Sequence, residues 1–224
     1  MQTDLAPASD RQDRSPRQNP RDKRPMICAL AAGMFAERGV LGVSGRMIAR
    51  ASRTPVATIN DHFGKREDLL AGIIAEHLFR LNQRVCSACD ATAGAAPESR
   101  LLAMLLALLD SIAAEPSRHF LAMHAIGALG DRERKPAETR LRVMLEAFAE
   151  PLQEVNPSLT TLQAVMLAGS VVGGVGDALA WAESDSATDH AGLAMRLVAA
   201  LVAGAGTPGV ATGVLTPAAS LRQA

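Results

Sequence analysis

The chain is poor in cysteine and in aromatic residues. Its 224 residues include three cysteines, one tryptophan, five phenylalanines and no tyrosine. The N-terminus is polar and charged and has no apolar segment like that of a signal peptide. Three cysteines without such a signal indicate a reducing compartment rather than a fold stabilised by disulfide bonds. We therefore expect a cytoplasmic, bacterial protein.

Uninterrupted apolar runs of membrane-spanning length are also missing. Residues 158–176 carry no charge, but two Ser, two Thr, one Gln and four Gly interrupt the run, and Asp177 ends it. Residues 197–221 are also uncharged but are broken by Gly and Pro. Neither stretch meets the requirement of about 20 predominantly apolar residues for a transmembrane helix. We expect no membrane partner.

The chain has no net charge, but its charge is unevenly distributed. Residues 1–85 hold 14 basic and 9 acidic residues, a net charge of +5, whereas residues 86–224 hold 9 and 14, a net charge of −5. Such asymmetry is typical of a basic nucleic-acid module joined to a more acidic domain.

Helical periodicity dominates, and no window shows convincing strand-like alternation, so we predict an all-α fold. The polar segment 1–24 is predicted to be a disordered arm, and a first helix should run from Pro25 to Gly39. Ser44 should cap a second helix and Thr54 a third. Gly64 should precede a long fourth helix. Later helices are predicted near 97–115, 117–129, 136–154, 157–182 and 187–204, followed by a flexible tail, 206–224.

Residues 44–70, SGRMIARASRTPVATINDHFGKREDLL, are the most informative part of the chain. They read as two short amphipathic helices joined by a tight turn and followed by a third helix. Five basic residues lie between Ser44 and Arg66, against the single acid Asp61. This pattern is typical of a helix-turn-helix that places one helix in the major groove of DNA.

The segments AAGMFAERGV, SGRMIARAS and TINDHFGKREDLL resemble the TetR family of bacterial transcriptional repressors. The resemblance covers about residues 27–70, roughly a fifth of the chain. It implies a three-helix DNA-binding domain, residues 25–70, followed by a larger helical domain, residues 71–205. That larger domain would bind a small ligand and dimerise, and ligand binding would release palindromic operator DNA.

The resemblance also implies the DNA-binding positions. Ser44 would place free backbone N–H groups near a phosphate. Arg46 would reach the groove, where a guanidinium can contact guanine or phosphate. Thr58 would face the DNA backbone. The remaining candidate contacts are Arg53, Asn60, His62, Lys65 and Arg66.

Three positions depart from the family pattern. Arg53 stands where a turn glycine is usual, Asn60 replaces a phosphate-contacting tyrosine, and Asp61 places a carboxylate on the groove side. A left-handed Arg53 would cost about 1–2 kcal/mol. Asp61 would repel phosphate unless it accepts a hydrogen bond from cytosine N4. Together these departures suggest an unusual operator or weaker binding.

The second half offers candidates for effector binding and dimerisation. The middle helices are rich in Leu, Ala and Met, so a pocket there should be mostly apolar. Candidate ligand-binding residues are Met104, His119, Met123, His124 and Arg140. Small residues recur in 162–181, and this helix together with residues 189–202 would form a dimer interface. The candidate interface residues are Gly169, Gly173, Gly174 and Trp181.

Two alternatives remain open. Cys86 and Cys89 share a helix face and could chelate a soft metal or oxidise together, which would make a thiol- or metal-responsive sensor. The chain could also be a divergent member that has lost specific DNA binding. No second CxxC accompanies the pair, and no paired carboxylates or nucleophile–base arrangement is evident. We therefore expect no resident metal, no cofactor and no enzymatic activity.

Overall fold

In the computed structural model, residues 23–181 and 189–206 are described, and these are helical with no strand among them. The helices are α1 Arg24–Arg38, α2 Gly45–Ala51, α3 Val56–Phe63, α4 Arg66–Ala91, α5 Pro97–Ala114, α6 Pro116–His124, a 3₁₀ turn Ile126–Ala128, α7 Asp131–Val155, α8 Thr161–Trp181 and α9 His190–Gly206. The predicted all-α fold is confirmed within these ranges. The predicted arm up to residue 22 and the tail from residue 207 lie outside the described residues.

Several helix ends follow from single residues. Gly39 has a φ of 71° and ends α1, a conformation that glycine adopts without steric cost. The Ser44 hydroxyl accepts a hydrogen bond from the Met47 amide, so the predicted N-cap of α2 is confirmed. Thr160 and Gln163 exchange hydrogen bonds at the start of α8, a capping box that the sequence analysis overlooked.

Three predicted boundaries are wrong. Helix α8 begins at Thr161, not at residue 157, because the chain turns at Asn156 and Thr160 is the N-cap. Helix α7 begins at Asp131, not at residue 136, because Asp131 and Glu133 suit the first turn of a helix and Pro136 is accommodated within the helix. The helix predicted for 117–129 ends at His124 and continues as the separate 3₁₀ turn.

Two clusters of buried side chains organise the chain. The first joins α1, α2, α3 and the N-terminal half of α4 to α6, the 3₁₀ turn and Ala137. The second joins the C-terminal half of α4 to α5, α7, α8 and α9. Helix α4 contributes to both. Met123 and Leu141 pack against both clusters and so lie where the two meet.

Candidate nucleic-acid interface

Helices α2 and α3 form a helix-turn-helix. Ile48 and Ala49 of α2 and Ile59 and Phe63 of α3 are buried in the first cluster, which fixes the two helices against α1 and α4. Because only one face of each helix is buried, the opposite face of α3 is left for another molecule. This is the arrangement in which a second helix enters the major groove.

The turn between these helices depends on Arg53. Its φ is 50°, so this residue adopts the left-handed conformation that the sequence analysis considered. The Thr54 amide donates to the Ala49 carbonyl at 2.9 Å across the turn. The prediction that Thr54 caps α3 is wrong: Pro55 is the N-cap, and the Thr54 hydroxyl donates to the Ser52 carbonyl at 3.1 Å. Thr54 thus stabilises the turn itself.

The candidate DNA-binding residues differ in exposure. Those with exposed side chains can reach a ligand without rearrangement, whereas the others are partly covered by the protein. The exposed ones are Ser44, Arg46, Arg53, Asn60 and Lys65, and the half-buried ones are Thr58, His62 and Arg66.

Arg66 is held by the protein. Its Nη1 donates to the Val43 carbonyl at 3.1 Å, and its Nη2 lies 2.5 Å from Glu67 Oε1. The N–H of the Glu67 backbone and then the Arg66 side chain lower the pKa of the Glu67 carboxyl. Arg66 therefore joins the start of α4 to the loop before α2. A contact with phosphate would be in addition to this structural role.

Arg24 is a positioning residue that the sequence analysis overlooked, because it was assigned to the disordered arm. It is the first residue of α1, and its Nη1 donates to the His62 carbonyl at 3.3 Å. The guanidinium also lies 4.9 Å from the centre of the Phe63 ring. An arginine satisfies a C-terminal carbonyl and favours an aromatic face. Arg24 thus anchors the end of α3.

The model of the family described as "Bacterial regulatory proteins, tetR family" matches residues 27–73, which contain this helix-turn-helix. The matched segment, residues 27–73, is therefore similar to the TetR family. No curated protein matches the chain. The likeness in fold extends well beyond the matched segment, to about 80% of the chain.

Three solved structures illustrate the likeness. A TetR-family transcriptional regulator from Bordetella parapertussis 12822 is 23% identical with a TM-score of 0.70, over 80% of this chain and 93% of that one. AibR, solved with isovaleryl coenzyme A and operator DNA, is 20% identical with a TM-score of 0.68, over 80% and 98%. FadR from Bacillus subtilis, solved with stearoyl-CoA, is 17% identical with a TM-score of 0.64, over 80% and 98%. At these identities the likeness establishes the fold.

The five candidate ligand-binding residues occupy different environments. Met104 is fully buried in the second cluster, and Met123 lies between the clusters. His124 is exposed, and its ring centre is 4.6 Å from that of Phe120. Arg140 lines a groove of about 380 Å³ between α4 and α7. Because these environments differ, the assignment of all five residues to one pocket stays a prediction.

His119, the remaining candidate, belongs to a buried polar network between α4 and α6. Its Nδ1 lies 3.3 Å from Nε2 of His77, and both side chains are buried. Arg80 donates two hydrogen bonds to Glu115 at 2.8 and 2.9 Å, and His77 Nδ1 lies 3.6 Å from the same carboxylate. Burial, followed by the positive charge of Arg80, lowers the pKa of His77 to about 4. His77 is therefore neutral at pH 7, and its contact with Glu115 is not an ion pair there.

The candidate dimer residues also differ. A Cβ on Gly169 would lie 3.7 Å from Leu145 of α7, so this glycine faces the chain's own core. Gly174 is exposed and lies on one helix face with Leu162, Met166 and Ser170, which are all exposed. The side chain of Trp181 lies outside the described residues.

Cys86 and Cys89 are half-buried at the end of α4. The Cys86 thiol donates to Asn82 Oδ1 at 3.1 Å, and Nη2 of the buried Arg100 donates to Cys89 Sγ at 3.8 Å. Burial raises the pKa of the Cys86 thiol. Among the residues described, no group of three His, Cys, Asp or Glu side chains could hold a metal. A thiol-responsive role stays a hypothesis.

No helix within the described ranges is long and apolar enough to cross a membrane.

Proposed function

We propose that this protein is a TetR-family transcriptional regulator that binds palindromic operator DNA as a homodimer and is released by a small, mostly apolar effector. The observation that carries the proposal is the helix-turn-helix, with α3 buried on one face and open on the other. Exposed cations at Arg46, Arg53 and Lys65 supply the electrostatic attraction to phosphate. Release by an effector would make the protein a repressor, acting in the bacterial cytoplasm.

The exposed surface of α8 and α9 supports dimerisation. Leu162, Met166 and Met195 are exposed to 69, 44 and 57% of their surface. Exposed large apolar side chains that recur on one surface mark a contact with another protein. A second copy is the partner that the function requires, because two recognition helices must reach successive major grooves about 34–36 Å apart.

The second half of the chain is proposed to hold the effector. AibR and FadR were solved with acyl thioesters of coenzyme A, and an acyl chain matches the apolar character expected here. Met123 and Leu141 touch both buried clusters, so a ligand that displaced them would shift the first cluster against the second. That displacement would change the spacing of the two recognition helices. The protein is proposed to act by binding alone, without catalysis.

The first experiment is selection of bound fragments from bacterial genomic DNA by the purified full chain, repeated across a salt series. The proposal predicts enrichment of palindromic fragments whose binding persists at physiological salt. The variant Arg46→Ala should reduce this enrichment without disturbing the fold, since its side chain is exposed and forms no hydrogen bond within the described part of the chain. Weak, salt-sensitive binding to every fragment would instead support the divergent member that has lost specific recognition.

A further inference from the structure

We propose that Asp61 reads cytosine in the operator and thereby sets the protein's base preference. This inference rests on the proposed function, since it assumes that α3 enters the major groove. It assigns to a carboxylate the central position of the recognition surface, which DNA-binding proteins more often give to neutral or basic side chains.

The geometry of α3 places Asp61 opposite the core. Successive residues of an α-helix are rotated by about 100°, so Asp61 lies about 200° from the buried Ile59. Asp61 is exposed, as is Asn60 beside it. Because Ile59 faces the first cluster, Asp61 lies near the middle of the surface that would meet the groove.

The neighbours of Asp61 allow a close approach. Ala57 lies one turn earlier on the same face and is exposed. This small residue lets the helix sit deep enough for a short side chain to touch base edges. The exposed cations Arg53 and Lys65 lie just before and just after α3, where they can hold phosphates on either side.

Asp61 also differs from the nearby acids in its lack of a partner among the residues that the structure describes. Glu67 is paired with Arg66, and Asp68 accepts a hydrogen bond from the Lys65 amide at 2.8 Å. Within the described part of the chain, Asp61 forms neither an ion pair nor a side-chain hydrogen bond. An ionised carboxylate only accepts hydrogen bonds. In the major groove the acceptors of guanine and thymine would repel it, and adenine presents its N6 donor beside the N7 acceptor. Cytosine alone presents a donor, the N4 amino group, with no acceptor beside it.

The same charge would penalise other binding modes. A carboxylate that faces phosphate or an acceptor-rich base edge weakens binding, whereas cytosine relieves this penalty. Specificity obtained by repelling wrong partners is a general device in recognition. Asp61 would thus lower the affinity for non-specific DNA and raise the affinity for an operator with cytosine at the contacted position.

The test compares sequence selection from a randomised duplex library by the full-length wild type, Asp61→Asn and Asp61→Ala. Glu37→Gln is the control, because it removes one exposed negative charge from the same domain. We expect the wild type and the control to select cytosine at one position of each half-site. Both Asp61 variants should lose that preference by about tenfold and bind non-specific DNA more tightly.

A second measurement removes the N4 amino donor of the DNA instead of the carboxylate acceptor of Asp61. The selected cytosine is replaced by 2-pyrimidinone, which lacks the 4-amino group. The wild type should bind the changed DNA about tenfold less tightly than the original DNA. Asp61→Ala should bind the two DNAs with equal affinity. Equal losses in both proteins, or identical base preferences for the wild type and Asp61→Asn, would overturn the assignment. If the wild type selects no sequence at all, the proposed function fails and this inference fails with it.

Discussion

His77 of α4 and His119 of α6 share a buried hydrogen bond, with 3.3 Å between Nε2 and Nδ1. Their rings meet edge to face, with centres 5.5 Å apart. The pair joins α4 to α6. Helix α4 runs from the DNA-binding domain into the second half of the chain, and α6 packs on α1. The protonation state of His77 therefore bears on the packing of α4 against α6.

The low pKa of His77 predicts a loss of stability in acid. The folded protein keeps His77 neutral down to about pH 4, whereas the ordinary value is 6.5. Between these values the unfolded chain binds the proton more readily, so stability falls as pH falls. One group contributes at most about 1.4 kcal/mol per pH unit over this range. Chemical denaturation at several pH values measures the slope, which His77→Gln should reduce.

The exposed His124 supplies the control for that experiment. The slope that His77 contributes should persist in His124→Gln, which makes the same substitution at a histidine with an exposed side chain. An unaltered slope in His77→Gln would mean that other groups cause the acid sensitivity.

The left-handed Arg53 predicts a stabilising substitution. Arg53→Gly should raise the free energy of unfolding by about 1 kcal/mol, because glycine adopts a φ of 50° without steric cost. Arg53→Ala removes the same charge but keeps the strained backbone, so it should give no such gain. Thermal unfolding distinguishes the two variants. Both should weaken DNA binding equally if the guanidinium contacts phosphate.

The contacts of Arg66 predict a variant with two defects. Arg66→Ala should weaken operator binding and reduce the slope of log affinity against log salt by about 1. It should also lower the unfolding temperature, since the hydrogen bond to the Val43 carbonyl is lost. Arg46→Ala should weaken binding without changing that temperature. Unchanged affinity in both variants would remove the two residues from the interface.

The exposed surface of α8 predicts a monomeric variant. Leu162→Glu together with Met166→Glu should place two charges in the proposed interface, and light scattering at micromolar concentration should then report the monomer mass. Leu41→Glu is the control: Leu41 is 88% exposed but lies in the loop after α1, far along the chain from α8, so the dimer should persist. A dimer that survives the double substitution would place the interface elsewhere.

Local sequence predicted those features that depend on a residue and its near neighbours. Gly39 ends α1 and Ser44 caps α2. The same holds for the helix-turn-helix, whose buried stripe, turn and charge lie within a few turns of one another. Such features follow from backbone sterics and helical periodicity, so they are present in the linear pattern.

Only the tertiary structure decided which distant residues meet. Arg24 contacts Phe63, Arg66 contacts Val43, and His77 pairs with His119 across 42 residues of chain. The sequence did not predict these pairs, because each depends on how two helices pack together. The helical periodicity of either helix alone does not determine which residues meet. Packing likewise buried Met104 in the second core while it left Leu162 and Met166 exposed, although all three are apolar residues on helices. Helical period fixes which residues share a face, but only the packing of helices against one another decides which face is covered.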